Sequence, residues 1–160
     1  MPRGKLRRLR HSARGRGVAR FHERDMPRTA IIDAMDDRPR ATRESIHRIT
    51  PMPASRARVE PVDRTFTPDE RKRLELGLVP KSMDDHWLVF FEDGWLYAHR
   101  SWSGICRYMI RIEDNADGTA RVGETWVNMK ERMTLSKDYD VRLVRYLVER
   151  TLGNEWPFPT

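Results

Sequence analysis

From about residue 65 onward the apolar residues of this chain fall into regular periods, and the elements they predict can be placed one after another. Thr67-Pro68-Asp69-Glu70 reads as a helix start: Thr67 caps, Pro68 suits a first turn whose N–H groups lack partners, and Glu70 completes a capping box. The helix runs from Pro68 to about Leu76, where Gly77 and then Pro80 stop it. His86 to Phe91 and Trp95 to Trp102 follow as two β-prone runs separated by Glu92-Asp93-Gly94, a tight-hairpin signal because glycine tolerates positive φ. In the first run Trp87, Val89 and Phe91 share one face and Leu88 and Phe90 the other, so both faces are apolar and the strand is expected to be central. In the second, Trp95, Tyr97, His99 and Ser101 point one way, with Leu96, Ala98, Arg100 and Trp102 opposite.

Past Gly104 a third strand is predicted over Ile105 to Glu113, with Cys106, Tyr108, Ile110 and Ile112 on one face and Arg107 and Arg111 on the other. The turn-rich stretch Asp114 to Gly118 leads to a fourth strand, Ala120 to Asn128, with Ala120, Val122, Glu124, Trp126 and Asn128 alternating against Arg121, Gly123, Thr125 and Val127. A closing helix runs from about Lys137 to Leu152. Ser136 caps it, Asp138 and Asp140 suit its positive end, and Gly153 ends it. Its stripe of Val141, Val144, Val148 and Leu152, flanked by Leu147, packs on the sheet. The predicted fold is α+β: a four-stranded antiparallel meander with an N-terminal and a C-terminal helix on one face.

Charge divides the chain at the same place. Residues 1–64 carry 17 Lys+Arg against 8 Asp+Glu, and residues 65–160 carry 14 against 16, so the net +7 belongs to the front. Residues 1–28, rich in Arg with Gly and Pro and poor in apolar residues, cannot bury enough surface to offset their ordering entropy, and are expected to form a disordered basic arm. Arg3, Lys5, Arg7, Arg8, Arg10, Arg14 and Arg16 make it a candidate nucleic-acid contact by counterion release. Alternatively it is a solubilising tail, or translated sequence ahead of a start at Met26 or Met35. Residues 29–64 hold a short possible helix, Thr42 to Ile49, then Pro51, Pro53 and Pro61. They are read as a linker, giving two parts: an arm and linker over 1–64 and a small domain over 65–160.

No apolar run is long enough to span a bilayer and none follows the basic start as in a secretory signal, so a soluble, cytoplasmic protein with no membrane partner is expected. A single cysteine, Cys106, excludes an internal disulfide and a multi-cysteine zinc site; in its strand it reads as a packed small residue. There is no phosphate-binding glycine loop, no metal-ligand set and no nucleophile elbow around Ser101, so neither a metal nor a cofactor is expected.

The candidate chemistry concentrates in Ser82 to Gly104. Arg100 presents a planar five-donor fork suited to phosphate or carboxylate, and His99 and Ser101 can donate to an oxyanion. Trp95, Tyr97 and Trp102 offer flat stacking surfaces, and Asp84 and Asp85 can hold ribose hydroxyls, act as a base or bind a divalent cation. His99 and Arg100 share one surface only if the strand ends or bulges there. Each feature also has a plainer reading. The aspartates can turn the chain or pair with Arg100, His99 can be a hydrogen-bonded core histidine, the tryptophans can be core, and Asn128 can close a strand.

Ser82-Met83-Asp84-Asp85-His86-Trp87, His99-Arg100-Ser101-Trp102-Ser103-Gly104 and Trp126-Val127-Asn128 together resemble a small bacterial family marked by M-D-D-x-W, H-R-S-W-[ST]-G and a downstream V-N. The resemblance covers about residues 67–152. Ser103 stands where threonine is more usual, and His86 where another basic residue is. Some members lie beside or are fused to ADP-ribose-handling domains such as macro domains, which implies a ligand of that chemistry.

Two functions follow as expectations. One is a small-ligand domain in which Asp84, Asp85, Trp95, His99, Arg100, Ser101, Trp102 and Asn128 recognise a phosphorylated, nucleotide or ADP-ribose-like compound, with its hydrolysis left open. The other is a protein or nucleic-acid interaction module in which the basic arm makes the contact and the sheet is scaffold. Whether the chain is an enzyme is left open by the sequence.

Overall fold

A computed structural model describes residues 37–132 and 136–160; the arm of residues 1–28, with its candidate basic contacts from Arg3 to Arg16, lies outside the described residues. Its ordered elements are β1 (Arg56–Arg58), β2 (Thr65–Phe66), α1 (Pro68–Leu74), β3 (Trp87–Glu92), β4 (Trp95–Arg100), β5 (Cys106–Asp114), β6 (Ala120–Asn128) and α2 (Lys137–Thr151). The fold is α+β around one antiparallel sheet. That sheet has six strands rather than the four expected, because β1 and β2 both add to the outer edge of β6 in the order β1-β6-β5-β4-β3.

The extra strands correct the reading of residues 29–64 as a linker. Ala57 pairs with Val127 and Phe66 with Ala120, and between them the Val59 N–H donates to the Thr125 carbonyl and the Val122 N–H donates to the Arg64 carbonyl. Residues 56–66 thus run along the edge of β6 as two short strands, β1 and β2, joined by residues 59–64, where the missing N–H of Pro61 is tolerated. Val59 and Val62 enter the main core. The predicted helix over Thr42 to Ile49 is a single 3₁₀ turn, Arg43–Ser45, with Thr42 accepting from the Glu44 N–H.

Both predicted caps form. Thr67 and Glu70 exchange hydrogen bonds across the first turn of α1, and the Ser136 hydroxyl accepts from Tyr139 N–H at the start of α2. Leu74 of α1 and Leu143, Val144, Leu147 and Val148 of α2 share one core with Val89, Leu96, Tyr108, Ile110 and Val127, so both helices cover the same sheet face. Burying four such aliphatic side chains from α2 alone is worth about 6–12 kcal/mol before entropy. The other face is covered by residues 41–50, which lay Ala41, Ile46 and Ile49 over Leu88, Phe90 and Tyr97.

That second cover explains a misreading. β3 is apolar on both sides as expected, yet it ends the strand order instead of standing in its middle. Its free edge is met by Leu78, which exchanges both backbone hydrogen bonds with Val89. The approach requires Gly77 at φ +67°, because a Cβ there would strike the Val89 carbonyl.

Two bulges break the simple alternation. On β5, Tyr108 faces Ala98 but Cys106 faces His99, so Arg107 is an extra residue. On β6, Ile110 faces Thr125 but Ile112 faces Val122, and the buried phase passes from Ala120 and Val122 to Thr125 and Val127. The single alternation predicted for β6 therefore holds only up to Gly123. Trp126 turns outward instead, beneath the guanidinium groups of Arg56 and Arg58.

Candidate functional site

The best-formed hollow lies where the C-terminal half of α2 meets the chain on either side of Val79-Pro80. A cleft of about 340 Å³ is bounded by Leu78, Val79, Pro80 and Trp87 on one side and by Tyr146, Arg150 and Phe158 on the other. Arg38, Lys81, Asp84, Asp85 and His86 complete its polar rim. The far wall exists because the tail after Gly153 folds back along α2. Phe158 meets Tyr146 edge to face at 5.2 Å, and Trp156 lies 4.9 Å from the Arg145 guanidinium.

The near wall is a turn locked by hydrogen bonds. Asp85 accepts from Lys81 N–H at 2.7 Å and donates its own N–H to the Ser82 carbonyl. Ser101 then ties the turn to the end of β4, its hydroxyl donating to the Asp85 carbonyl at 2.6 Å and its N–H to the His86 carbonyl at 3.0 Å. The carboxylate of Asp85 is thereby committed to shaping the chain. Asp84, exposed on the rim, has no side-chain hydrogen bond among the described residues.

The structure does not gather the predicted ligand-binding residues into one pocket. Asp84 and Asp85 line the cleft; Ser101 acts behind it. His99 faces the opposite side of the sheet, buried, stacked 5.3 Å from Phe90, and its Nδ1–H meets the Gly104 carbonyl at 2.8 Å. Since a carbonyl only accepts, Nδ1 carries the proton. Burial lowers the His99 pKa from its ordinary value, against the pull of the Gly104 carbonyl. These are the properties of a core histidine closing the Arg100 to Gly104 turn. Gly104 sits at φ +73° with its Cα pressed against the Arg48 carbonyl, where any side chain would collide.

The remaining candidates scatter. Trp95 stands at the hairpin end of β4, 5.5 Å from the Arg111 guanidinium. Asn128 is buried and structural, donating to the Cys106 carbonyl at 2.9 Å and accepting from Lys130 N–H. Trp102 is 76% exposed and, with Met83 and residues 45–48, borders a second, shallower hollow of about 610 Å³. Cys106 is buried and its thiol is pushed up to about 12 by that burial, so it is a packing residue as the sequence suggested.

Arg100 is neither locked by an acid nor open to the cleft. Its guanidinium lies 4.2 Å from the Trp87 ring, half-buried, and burial followed by repulsion from Arg107 lowers its pKa. Arg107, expected to point away from Tyr108, is instead only 4% exposed, with its guanidinium 5.7 Å from the Tyr108 ring. The β5 bulge is the cause, and no alternation pattern could have shown it. Arg150, Tyr146 and Phe158 were likewise missed as cleft residues; their only sequence signal was an aromatic and basic flank to the α2 stripe.

What the three motif segments do share is local architecture. The Asp85–Ser101 and His86–Ser101 hydrogen bonds join the first two segments, His99–Gly104 closes the second on itself, and Asn128 of the third donates to Cys106, just beyond the second. Compared with protein-family models, with curated proteins and with solved structures, the chain finds no match. Among the described residues no group of His, Cys, Asp and Glu is arranged to hold a metal ion, and no helix is long and apolar enough to cross a membrane.

Proposed function

We propose that this protein is a small-ligand binding domain whose cleft takes a phosphorylated, nucleotide-like compound, ADP-ribose chemistry included. The observation that carries the reading is the composition of the cleft. Flat or apolar side chains of Trp87, Tyr146, Phe158 and Leu78 form its walls, and Lys81 and Arg150 stand at its rim beside the free carboxylate of Asp84. Its volume is in the range of small-molecule sites, and charged side chains border its apolar walls. An aromatic base or ribose face packs on the walls, the anion meets Arg150 and Lys81, and Asp84 accepts from sugar hydroxyls. In this reading Arg150 takes the anion-binding role first assigned to Arg100. Asp85 and Ser101 hold the turn that carries Asp84, so they support the site without touching the ligand.

Calorimetric titration with ADP-ribose and adenosine 5′-monophosphate tests the proposal. Saturable binding that weakens by about tenfold or more in Arg150→Ala supports it, since one charge-assisted contact is worth about 1.5–3 kcal/mol. Absence of binding to both compounds, or unchanged binding in Arg150→Ala, overturns it. Removing residues 1–28 leaves the cleft affinity unchanged in this reading, whereas a contact made by the basic arm disappears with them and falls steeply with salt.

A further inference from the structure

Three guanidinium groups crowd the sheet end nearest the start of α2, and their charge is not balanced there. Arg132 pairs with Asp140 at 2.9 Å, and the second Asp140 oxygen accepts from the Tyr108 hydroxyl at 2.7 Å. Asp140 is 1% exposed, so both of its oxygens are spent within that pair of contacts. Arg100 and Arg107 have no carboxylate within ion-pair distance among the described residues. Arg107 lies against the neutral phenol of Tyr108, and its buried Nε has no hydrogen-bond partner. The Trp87 indole N–H is also buried without an acceptor. Glu131 is near enough to Arg100 to act on it through space, but forms no ion pair with it.

A guanidinium that is 96% buried, with the Tyr108 phenol as its polar neighbour and no carboxylate at ion-pair distance, is strongly disfavoured unless an anion shares the site. The β5 bulge that swings Arg107 toward Arg100 concentrates that cost rather than relieving it. We propose that Arg100 and Arg107, seated against the Trp87 and Tyr108 rings, form a seat for a phosphate-class oxyanion. Two adjacent planar forks supply several N–H donors and a double positive charge, which matches a tetrahedral dianion better than a single carboxylate. Arg100, half-exposed, is the side through which the anion enters, and Arg107 is the buried floor. Arg132 is held away by Asp140 and adds only field. The inference does not rest on the cleft reading, because neither Arg100 nor Arg107 lines the cleft.

The test is thermal unfolding of the full chain at pH 7.5 in inorganic phosphate against chloride at equal ionic strength, with adenosine 5′-monophosphate as a second probe. A ligand that binds only the folded state raises the midpoint with its concentration. Phosphate raises the wild-type midpoint above that in chloride, and the increment is lost in Arg107→Met and in Arg100→Gln, while the exposed-pair control Arg121→Gln keeps it. The increment also shrinks as pH falls from 7.5 toward about 6, over which inorganic phosphate loses its second charge. A response to both probes that is lost in Arg100→Gln and kept in Arg150→Ala assigns the seat to a phosphomonoester, and a response at the seat to inorganic phosphate alone assigns it to the free anion. An increment absent from the wild type, or of equal size in Arg100→Gln, overturns the proposal; should Arg107→Met fail to fold, Arg100→Gln decides alone. Arg150→Ala separates the two readings, since it leaves the phosphate increment intact whether or not the cleft binds a nucleotide.

Discussion

Replacing Glu149 with glutamine removes one negative charge from the joint that fastens the edge strand, α1 and α2 together. The carboxylate is only 3% exposed and accepts from Arg64 Nε at 2.8 Å, Arg145 Nε at 2.8 Å and Asn154 Nδ2 at 2.7 Å. Arg64 also grips Glu70 with two hydrogen bonds, at 3.0 and 2.9 Å, so the substitution leaves it one acid instead of two. Arg145 is more exposed and hydrates readily once freed. Each charge-assisted contact is worth about 1.5–3 kcal/mol when buried, and the retained Glu70 pair and the exposure of Arg145 discount the sum. The expected loss is about 2–3 kcal/mol, or a fall of about 10 °C in Tm for a domain of this size. Burial pushes the Glu149 carboxyl up, but Arg64, Asn154 and Arg145 together outweigh it, and its pKa lies below the ordinary value. A folded-state pKa below the unfolded one gives stability that is present above the unfolded pKa of about 4.5 and is lost as pH falls through the folded value. Urea unfolding followed by tryptophan fluorescence at pH 7 and at pH 3 measures both effects. The wild type and Glu149→Gln differ by the full amount at pH 7, and the difference is smaller at pH 3. A loss under about 0.5 kcal/mol at pH 7, or an equal loss at both pH values, refutes the reasoning.

Two further outcomes follow from the turn after β4. Gly104→Ala forces a side chain into the Arg48 carbonyl at a positive φ, and costs about 2–4 kcal/mol in urea unfolding; a cost below about 1 kcal/mol contradicts the close approach. His99 is held neutral, with burial lowering its folded pKa below about 6.5, so its contribution is complete above that value and declines as pH falls beneath it. NMR titration of the imidazole shows its midpoint below the ordinary value of about 6.5, and a midpoint at or above that value refutes the assignment.

The parts of this fold visible in the sequence were those governed by local rules. Asp93 and Gly94 both adopt positive φ, 51° and 81°, in the predicted hairpin, and the Thr67 and Ser136 caps fall where their side chains placed them. What was hidden depended on distant partners. Arg56-Ala57-Arg58 is too short to show a period of two and becomes a strand only because β6 offers an open edge. Leu88 and Phe90 suggested a central strand, but the cover over them is the segment from Ala41 to Ile49, whose own apolar residues are too sparse to announce a layer. Of the residues expected to meet a ligand, Asp84 and Asp85 line the cleft, where motif and turn coincide, while Trp87 was read only as a strand residue of the motif. The candidate site was not legible at Arg150 and Phe158, which reach the cleft through the packing of α2 and the returning tail, nor at Arg107, which a bulge redirects.

The chain's five tryptophans give five indole N–H signals, and only one of them, from Trp87, belongs to a cleft-lining residue. Titrating ADP-ribose into ¹⁵N-labelled protein while following these signals tests the cleft directly. The account predicts a saturable shift of the Trp87 indole together with the backbone signals of Lys81 and Arg150, with Trp95 and Trp126 unmoved. Shifts confined to Trp102 and residues 45–48, or no saturable shift at Trp87, contradict it.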